Sequence, residues 1–184
     1  MENKLMMKMV VGTETIFFIA LMITYVYFSV TPGFSRSSQQ LLDIKTAGLF
    51  SILLFSSSFT FWRAEVNYYR GNFQRLKIWL GLTILLGMVF LFGQGQEYWR
   101  LLHENFSISK DMFGTNFFTL TGFHSLHVLM GLILLTVILT LILQGEFEDS
   151  SSTVISTAGI YWHFVDIVWL VVFLLVYVLP VILK

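Results

Sequence analysis

Six side chains of this sequence could hold or pass a proton within an otherwise apolar chain: Glu14, Glu97, His124, His127, His163 and Asp166. His124 and His127 are three apart, with Gly122 before them and Gly131 after. At about 100° per residue the two histidines and Gly131 share one side of a helix, while Thr115, Thr119 and Gly122 form a small-residue stripe on the other. The stripe would let a second helix approach closely. The histidine side needs polar company, because an ionisable group in hydrocarbon must be paired. The second patch is Y-W-H-F-V-D-I-V-W-L, Tyr161 to Leu170. His163, Asp166, Leu170, Phe173 and Tyr177 fall within roughly 80° of one another, so one face carries an imidazole, an acid and a phenol. His163 and Asp166 could satisfy each other at i,i+3, either as a clamp between helices or as a functional pair. Trp162 and Trp169 flank that face and read as packing residues.

Glu14 shares a face with Phe18, Leu21 and Tyr25, some way into its apolar run. Exposed to lipid it would cost about 3 kcal/mol or more. It is therefore protonated, faces a partner or water, or sits near the headgroups as an anchor. Glu97 follows Gln94 by three residues and precedes Tyr98 and Trp99, an aromatic pair typical of a membrane interface. It reads as a structural acceptor for a loop on the outer side. Three imidazoles, His124, His127 and His163, could ligate a metal or haem between two helices. The donor set is sparse for either, and buried, hydrogen-bonded histidines are the expectation.

These residues need spans to hold them. Of 184 residues, 56% are hydrophobic and 12% charged, and the mean hydropathy is +0.77, far from a soluble domain. Eleven Lys and Arg balance eleven Asp and Glu, so net charge points to no nucleic acid and no acidic partner. Without cysteine there is no disulfide, thiolate nucleophile or cysteine-ligated cluster. A span takes about 20 apolar residues. Five runs approach or exceed that length once their weakly polar ends are counted, at roughly 10–30, 46–62, 78–92, 113–143 and 154–182. The first is too long for a signal-peptide core and reads as a retained span. The expectation is an all-α membrane protein, a single domain of five transmembrane helices with sequential neighbours antiparallel.

The connectors give orientation. Thr31, Pro32 and Gly33 open the first, and Gly71-Asn72 mark the turn of a second that carries Arg63, Arg70, Arg75 and Lys77. A polar loop from about Arg100 to Asp111 comes next, and then an acidic one with Glu146, Glu148 and Asp149. With the N-terminus inside, Lys4 and Lys8 join the four cations of the second connector. Arg36, Lys45, Arg100, Lys110 and Lys184 fall outside. The dense short connector sets the orientation, N-terminus inside and C-terminus outside.

Four motifs carry a resemblance: G-T-E-T-I-F-F at Gly12–Phe18; L-T-I-L-L-G-M-V-F-L followed by Q-E-Y at Gln96–Tyr98; G-T-N-F-F-T-L-T-G-F-H-S-L-H-V at Gly114–Val128; and Y-W-H-F-V-D-I-V-W at Tyr161–Trp169. Each falls on an expected span. In this order the chain resembles subunit III of the haem-copper respiratory oxidases, in a short form lacking the first two of seven helices and with them half the wall of a lipid-filled cleft. The resemblance implies a subunit without haem or copper of its own, lying laterally against subunit I, with subunit II and small subunits nearby and phospholipid bound. Haems and copper would belong to the partner subunits. It implies roles in stabilising the oxygen-reducing centre and in supporting proton uptake, in a prokaryotic cytoplasmic membrane. Glu14 matches the family's intramembrane glutamate, and His124, His127, His163 and Asp166 match motif residues of its last two helices. A quinol oxidase subunit, a nitric oxide reductase-associated homologue, and a stand-alone transporter or haem-binding membrane protein are the alternatives.

Overall fold

The computed structural model describes residues 2–29, 42–103, 112–145 and 153–182. Within them lie five long helices: α1 (Glu2–Ser29), α2 (Ile44–Tyr69), α3 (Phe73–His103), α4 (Met112–Leu143) and α5 (Val154–Ile182). All five are long and apolar enough to cross a membrane, and the described residues contain no strand. Thr31, Pro32, Gly33, Arg36, Lys110, Glu146, Glu148, Asp149 and Lys184 lie outside the described residues.

Helices α2 and α3 reach well past the limits that hydropathy suggests. Arg63 lies in the last two turns of α2, and Arg75 and Lys77 in the first turns of α3. Hydropathy cannot see this, because a helix keeps its hydrogen bonds after its side chains turn polar. The turn between them is only Arg70 to Asn72. Gly71 takes a positive φ of 67°, its N–H donates to the Tyr68 carbonyl, and the Asn72 N–H donates to the Asn67 carbonyl. This is the Schellman ending that a glycine just past a helix allows. The Asn72 side chain then accepts from the Arg75 N–H at 3.2 Å and starts α3. Arg63 lies over the Trp79 ring, 5.5 Å from its centroid, stapling the two helices beside the turn.

Sequential order does not fix every neighbour. Helix α5 packs on α1, α2 and α4, and α4 packs on α1, α3 and α5, whereas α1 docks on α4 and α5 rather than along α2. Only 11% of the apolar span of α1 is buried, against 33% to 39% in the other four, so α1 is the peripheral helix.

Rings set into glycines hold the bundle together. A Cβ on Gly87 would come within 2.8 Å of Leu132 and 3.0 Å of Trp162, and one on Gly131 within 2.9 Å of the same indole. Trp162 therefore lies between two glycine surfaces, one on α3 and one on α4. Phe50 lies against Gly93 in the same way, and Phe61 against Gly159, where an added Cβ would sit 2.7 Å from the ring. Close packing of this kind drives helix association where lipid is as apolar as the side chains. The Thr115, Thr119 and Gly122 stripe does not supply it: Thr115 is exposed, and Gly122 has only an ordinary contact with Tyr98 at 3.7 Å. Gly81 likewise faces open space. Small residues permit close approach, but a large ring on the facing helix decides which of them is used.

Helix α5 contains a π-helical turn at Leu174–Val178. Pro180 has no N–H to offer the carbonyl four residues before it, and the wider turn lies at that carbonyl. The extra residue in the turn rotates the side chains beyond it. Leu170 is 44% exposed, yet Tyr177, seven residues on, is 2% exposed. The single face expected from His163 to Tyr177 is thus split, with Leu170 turned outward.

At the start of α2 the Asp43 side chain accepts from the N–H of Lys45 at 3.0 Å and of Thr46 at 3.3 Å, and from the Thr46 hydroxyl at 2.6 Å. The Thr46 hydroxyl, reinforced by those two N–H groups, holds the carboxyl below its ordinary value of 3.8. A depressed carboxyl contributes stability that is complete above the ordinary value and is lost as pH falls through the lower folded one. Protection of the Lys45 and Thr46 amides, measured against the intrinsic exchange rate at each pH, should therefore fall only at strongly acid pH. Asp43→Ala should loosen the first turn by about 1 kcal/mol at neutral pH and by less at strongly acid pH; unchanged first-turn protection in that variant at neutral pH would contradict the cap.

Candidate functional site

The six expected polar residues are distributed over four separate contacts, each joining different helices. The first joins α1 to α4. Glu14 Oε2 lies 3.0 Å from His127 Nε2, and His127 Nδ1 lies 2.7 Å from the Phe123 carbonyl. A carbonyl can only accept, so Nδ1 carries hydrogen. The Nε2 contact then needs one proton between its two partners. Either Glu14 is protonated and donates to a neutral ring, or an imidazolium donates to the carboxylate. Both arrangements are neutral overall, which answers the cost of a carboxylate at this depth. The side chains of Glu14 and His127 keep 32% and 15% exposure. Phe17 and Phe18 pack on the imidazole, and the Tyr161 hydroxyl of α5 donates to the His127 carbonyl at 3.1 Å.

The second contact joins α2 to α5. His163 and Asp166 do not bond each other directly, as i,i+3 spacing suggested. The Ser58 hydroxyl lies between them, donating to Asp166 Oδ2 and lying 2.9 Å from His163 Nδ1. The same pair of helices is laced twice more. The Trp162 indole N–H donates to Ser57 Oγ at 3.1 Å, and that of Trp169 to Ser51 Oγ at 2.8 Å. The tryptophans thus pack, and they also have polar partners. Ser51 and the run Ser56-Ser57-Ser58 were visible as hydroxyls on the second span, but pairing Ser51 and Ser57 with indoles needs the α2–α5 register, which sequence does not state.

The third group is His124, fully buried between α3, α4 and α5. Its ring stacks on Trp169, with centroids 4.8 Å apart, and meets the edge of Phe90. Among the described residues neither ring nitrogen has a hydrogen-bond partner, which differs from the expectation of a hydrogen-bonded histidine. The register of α4 explains the contrast with His127: His124 faces α3 and α5, and His127 faces α1.

The fourth group lies toward the other end of α3. Tyr177 donates to Glu97 Oε2 at 2.8 Å, and Arg100 stands 3.8 Å from Oε1. The principal partner of Glu97 is therefore a phenol of α5, brought inward by the π-turn, in addition to groups near the helix ends. Thr60 with Thr83, and Tyr98 with Thr121, add hydroxyl pairs between α2 and α3 and between α3 and α4. Among the described residues no three His, Cys, Asp or Glu side chains are grouped as a metal ion would need.

A bundle of five apolar helices, pinned by neutral or internally paired polar contacts, defines a multi-pass membrane protein. The chain belongs to the cytochrome c oxidase subunit III family, whose model matches residues 2–181. A cytochrome c oxidase subunit 3 of Synechocystis sp. is 36% identical over 168 residues, spanning 90% of this chain and 71% of that protein. That of Corynebacterium diphtheriae is 37% identical over 136 residues, 74% of this chain and 66% of the relative. That of Bacillus sp. strain PS3 is 29% identical over 168 residues, 91% and 81% respectively. The resemblance carried by the four motifs is thereby confirmed.

Removing the phenol in Tyr177→Phe leaves a buried acceptor oxygen of Glu97 without its donor, a loss of about 1–3 kcal/mol. In Glu97→Gln the same tyrosine change should cost less. A double-mutant cycle read by thermal or denaturant unfolding in detergent checks the coupling; additive effects would mean that the contact carries no energy.

Proposed function

We propose that this chain is the accessory, cofactor-free subunit III of a terminal haem-copper oxidase of the cytochrome c type, in a prokaryotic cytoplasmic membrane. It lies laterally against subunit I, near subunit II and small subunits, and it buttresses the oxygen-reducing centre, holds phospholipid and supports proton uptake. Oxygen reduction, the haems and the copper belong to the partners. The family membership carries the assignment. The names of the curated relatives favour the cytochrome c type over quinol oxidase or nitric oxide reductase assemblies.

Two features support the accessory role. Glu14, Glu97, Asp166, His124, His127 and His163 are engaged with one another, with hydroxyls or with rings inside the bundle, so at their depth the surface left for partners is the apolar outer faces. Ile78, Leu85, Met88 and Phe92 on α3, and Ile16, Ile19 and Ile23 on α1, are all exposed. An apolar groove of about 430 Å³ runs between α1 and α5, lined by Ile19, Met22, Val26, Val171 and Leu175. Its lining suits an acyl chain. The cluster of Arg63, Arg70, Arg75 and Lys77 about the α2–α3 turn favours that end as the cytoplasmic one. The N-terminus is then inside and the C-terminus outside.

Purification through a tag on this chain in mild detergent should recover a haem-containing assembly with oxidase activity. The chain stripped from it should show no Soret band. Recovery of the chain alone, with a Soret band of its own, would overturn the reading in favour of a haem-binding membrane protein. Within the assembled oxidase, Glu14→Gln should leave assembly intact and shorten the number of turnovers before inactivation. An unchanged turnover lifetime would remove Glu14 from the functional part of this proposal.

A further inference from the structure

The contact between Ser58, His163 and Asp166 has a property that a clamp does not require. A serine hydroxyl owns one hydrogen, and here it faces a carboxyl oxygen and an imidazole Nδ1 that accepts or donates according to the tautomer of the ring. It can donate to only one of them, so the second contact is a hydrogen bond only if the other partner supplies a proton. A neutral His163 with its hydrogen on Nδ1 satisfies both contacts beside an Asp166 carboxylate; when the trio holds one further, mobile proton, two arrangements do so. In the first, protonated Asp166 Oδ2 donates to Ser58 Oγ, and the Ser58 hydroxyl donates to a neutral His163 Nδ1. In the second, Ser58 donates to an Asp166 carboxylate and an imidazolium Nδ1–H donates to Ser58.

We infer that Ser58, His163 and Asp166 form a proton relay inside this chain, with the serine hydroxyl as the carrier between acid and imidazole. In one transfer the Asp166 Oδ2–H bond breaks and a bond to Ser58 Oγ forms, while the original Ser58 O–H bond breaks and an Nδ1–H bond forms on His163. Serine ends neutral, Asp166 ends as carboxylate and His163 as imidazolium. No heavy atom changes partner, no electron is transferred and no co-reactant is needed.

The placement suits a relay. Asp166 is 5% exposed and its Oδ1 has no hydrogen-bond partner among the described residues, whereas His163 is only partly buried. The trio thus has a closed end at the acid and a more open end at the imidazole. Seven residues along α2 from Ser58, on the same face and about 10 Å nearer the α2–α3 turn, stands Glu65. Phe61 packs against the His163 ring with centroids 5.8 Å apart and the planes perpendicular. A proton reaching His163 from the turn end can therefore pass to a site that water does not reach directly. The relay needs this chain alone, whichever assembly the chain joins.

Temperature-jump infrared spectroscopy of the full-length chain in lipid nanodiscs tests it, with ring-labelled histidine to mark the imidazole bands. The relay predicts a fast phase in which carboxyl C=O absorption falls as imidazolium absorption rises in equal amount, at a rate independent of buffer concentration. Asp166→Asn and His163→Gln should each abolish the phase. Ser58→Ala should abolish it too, while Ser58→Thr, which restores a hydroxyl, should keep it. Absence of the phase from the wild-type chain overturns the relay, whatever the variants do. Persistence in Ser58→Ala also overturns it, since a serine that only braces the helices would leave transfer between the other two untouched. If Ser58→Ala does not fold, the threonine and His163→Gln variants decide: loss of the phase with threonine, or survival without the imidazole, sinks the idea.

Discussion

An ionisable side chain below the headgroups has no water to share its charge, and on insertion scales an unpaired acid there costs a helix about 3 kcal/mol. That cost orders this molecule. Glu14, Glu97 and Asp166 each reach across to a different helix, and the residues they meet fix which helices are neighbours. Glu14 ties the peripheral α1 to α4 through His127. Asp166 ties α5 to α2 through Ser58. Glu97 ties α3 to α5 through Tyr177. Apolar faces in lipid are nearly interchangeable, so these polar contacts supply orientation that greasy packing alone would leave open.

Packing supplies the rest by fitting large rings to missing side chains. Trp162 illustrates how the two devices combine. Its indole is held between Gly87 and Gly131 while its N–H reaches Ser57. The ring's position is therefore set by α2, α3 and α4 together. Trp169 does the same with Ser51 on one side and His124 stacked on its face. A slip of α5 by one residue would break three α2–α5 hydrogen-bonded contacts at once, because Ser51, Ser57 and Ser58 meet Trp169, Trp162 and His163 in one antiparallel register.

The number and type of elements were legible because a 20-residue apolar run has few other structures available in lipid. The ends were not, since Arg63, Arg75 and Lys77 are helical residues whose polarity resembles that of a loop. Helical spacing placed His163, Asp166, Leu170 and Tyr177 on one side, and it failed between Leu170 and Tyr177 because the π-turn at Leu174–Val178 changes the period there. Proline was visible; how far it would rotate Tyr177 was not. The histidines show the same boundary. Spacing put His124 and His127 on one side of α4, but whether each would meet an acid or an indole depends on the tertiary neighbours, and they separated accordingly. Ser58 was not legible as a partner of Asp166, because a serine in a helix ordinarily bonds its own preceding turn, as Ser56 does with the Ile52 carbonyl.

The choice of partner also tracks depth. Glu97 lies six residues from the end of α3, about 9 Å along the axis, and there a guanidinium half in solvent can stand beside it. Glu14 and Asp166 are ten and twelve residues from the ends of their spans, about 15 and 18 Å, and their basic neighbours are imidazoles. An arginine at that depth would bring an obligatory charge and a second desolvation cost. Histidine can accept a proton or remain neutral. A site built from carboxyl and imidazole can therefore be empty of charge in one arrangement and hold a separated pair in the other without a change in proton count. Hydrocarbon tolerates the first and the short contact stabilises the second. The solution that lets acids reside in the bilayer thus uses the same kind of side chains, carboxyl and imidazole, on which the proposed relay of Ser58, His163 and Asp166 draws.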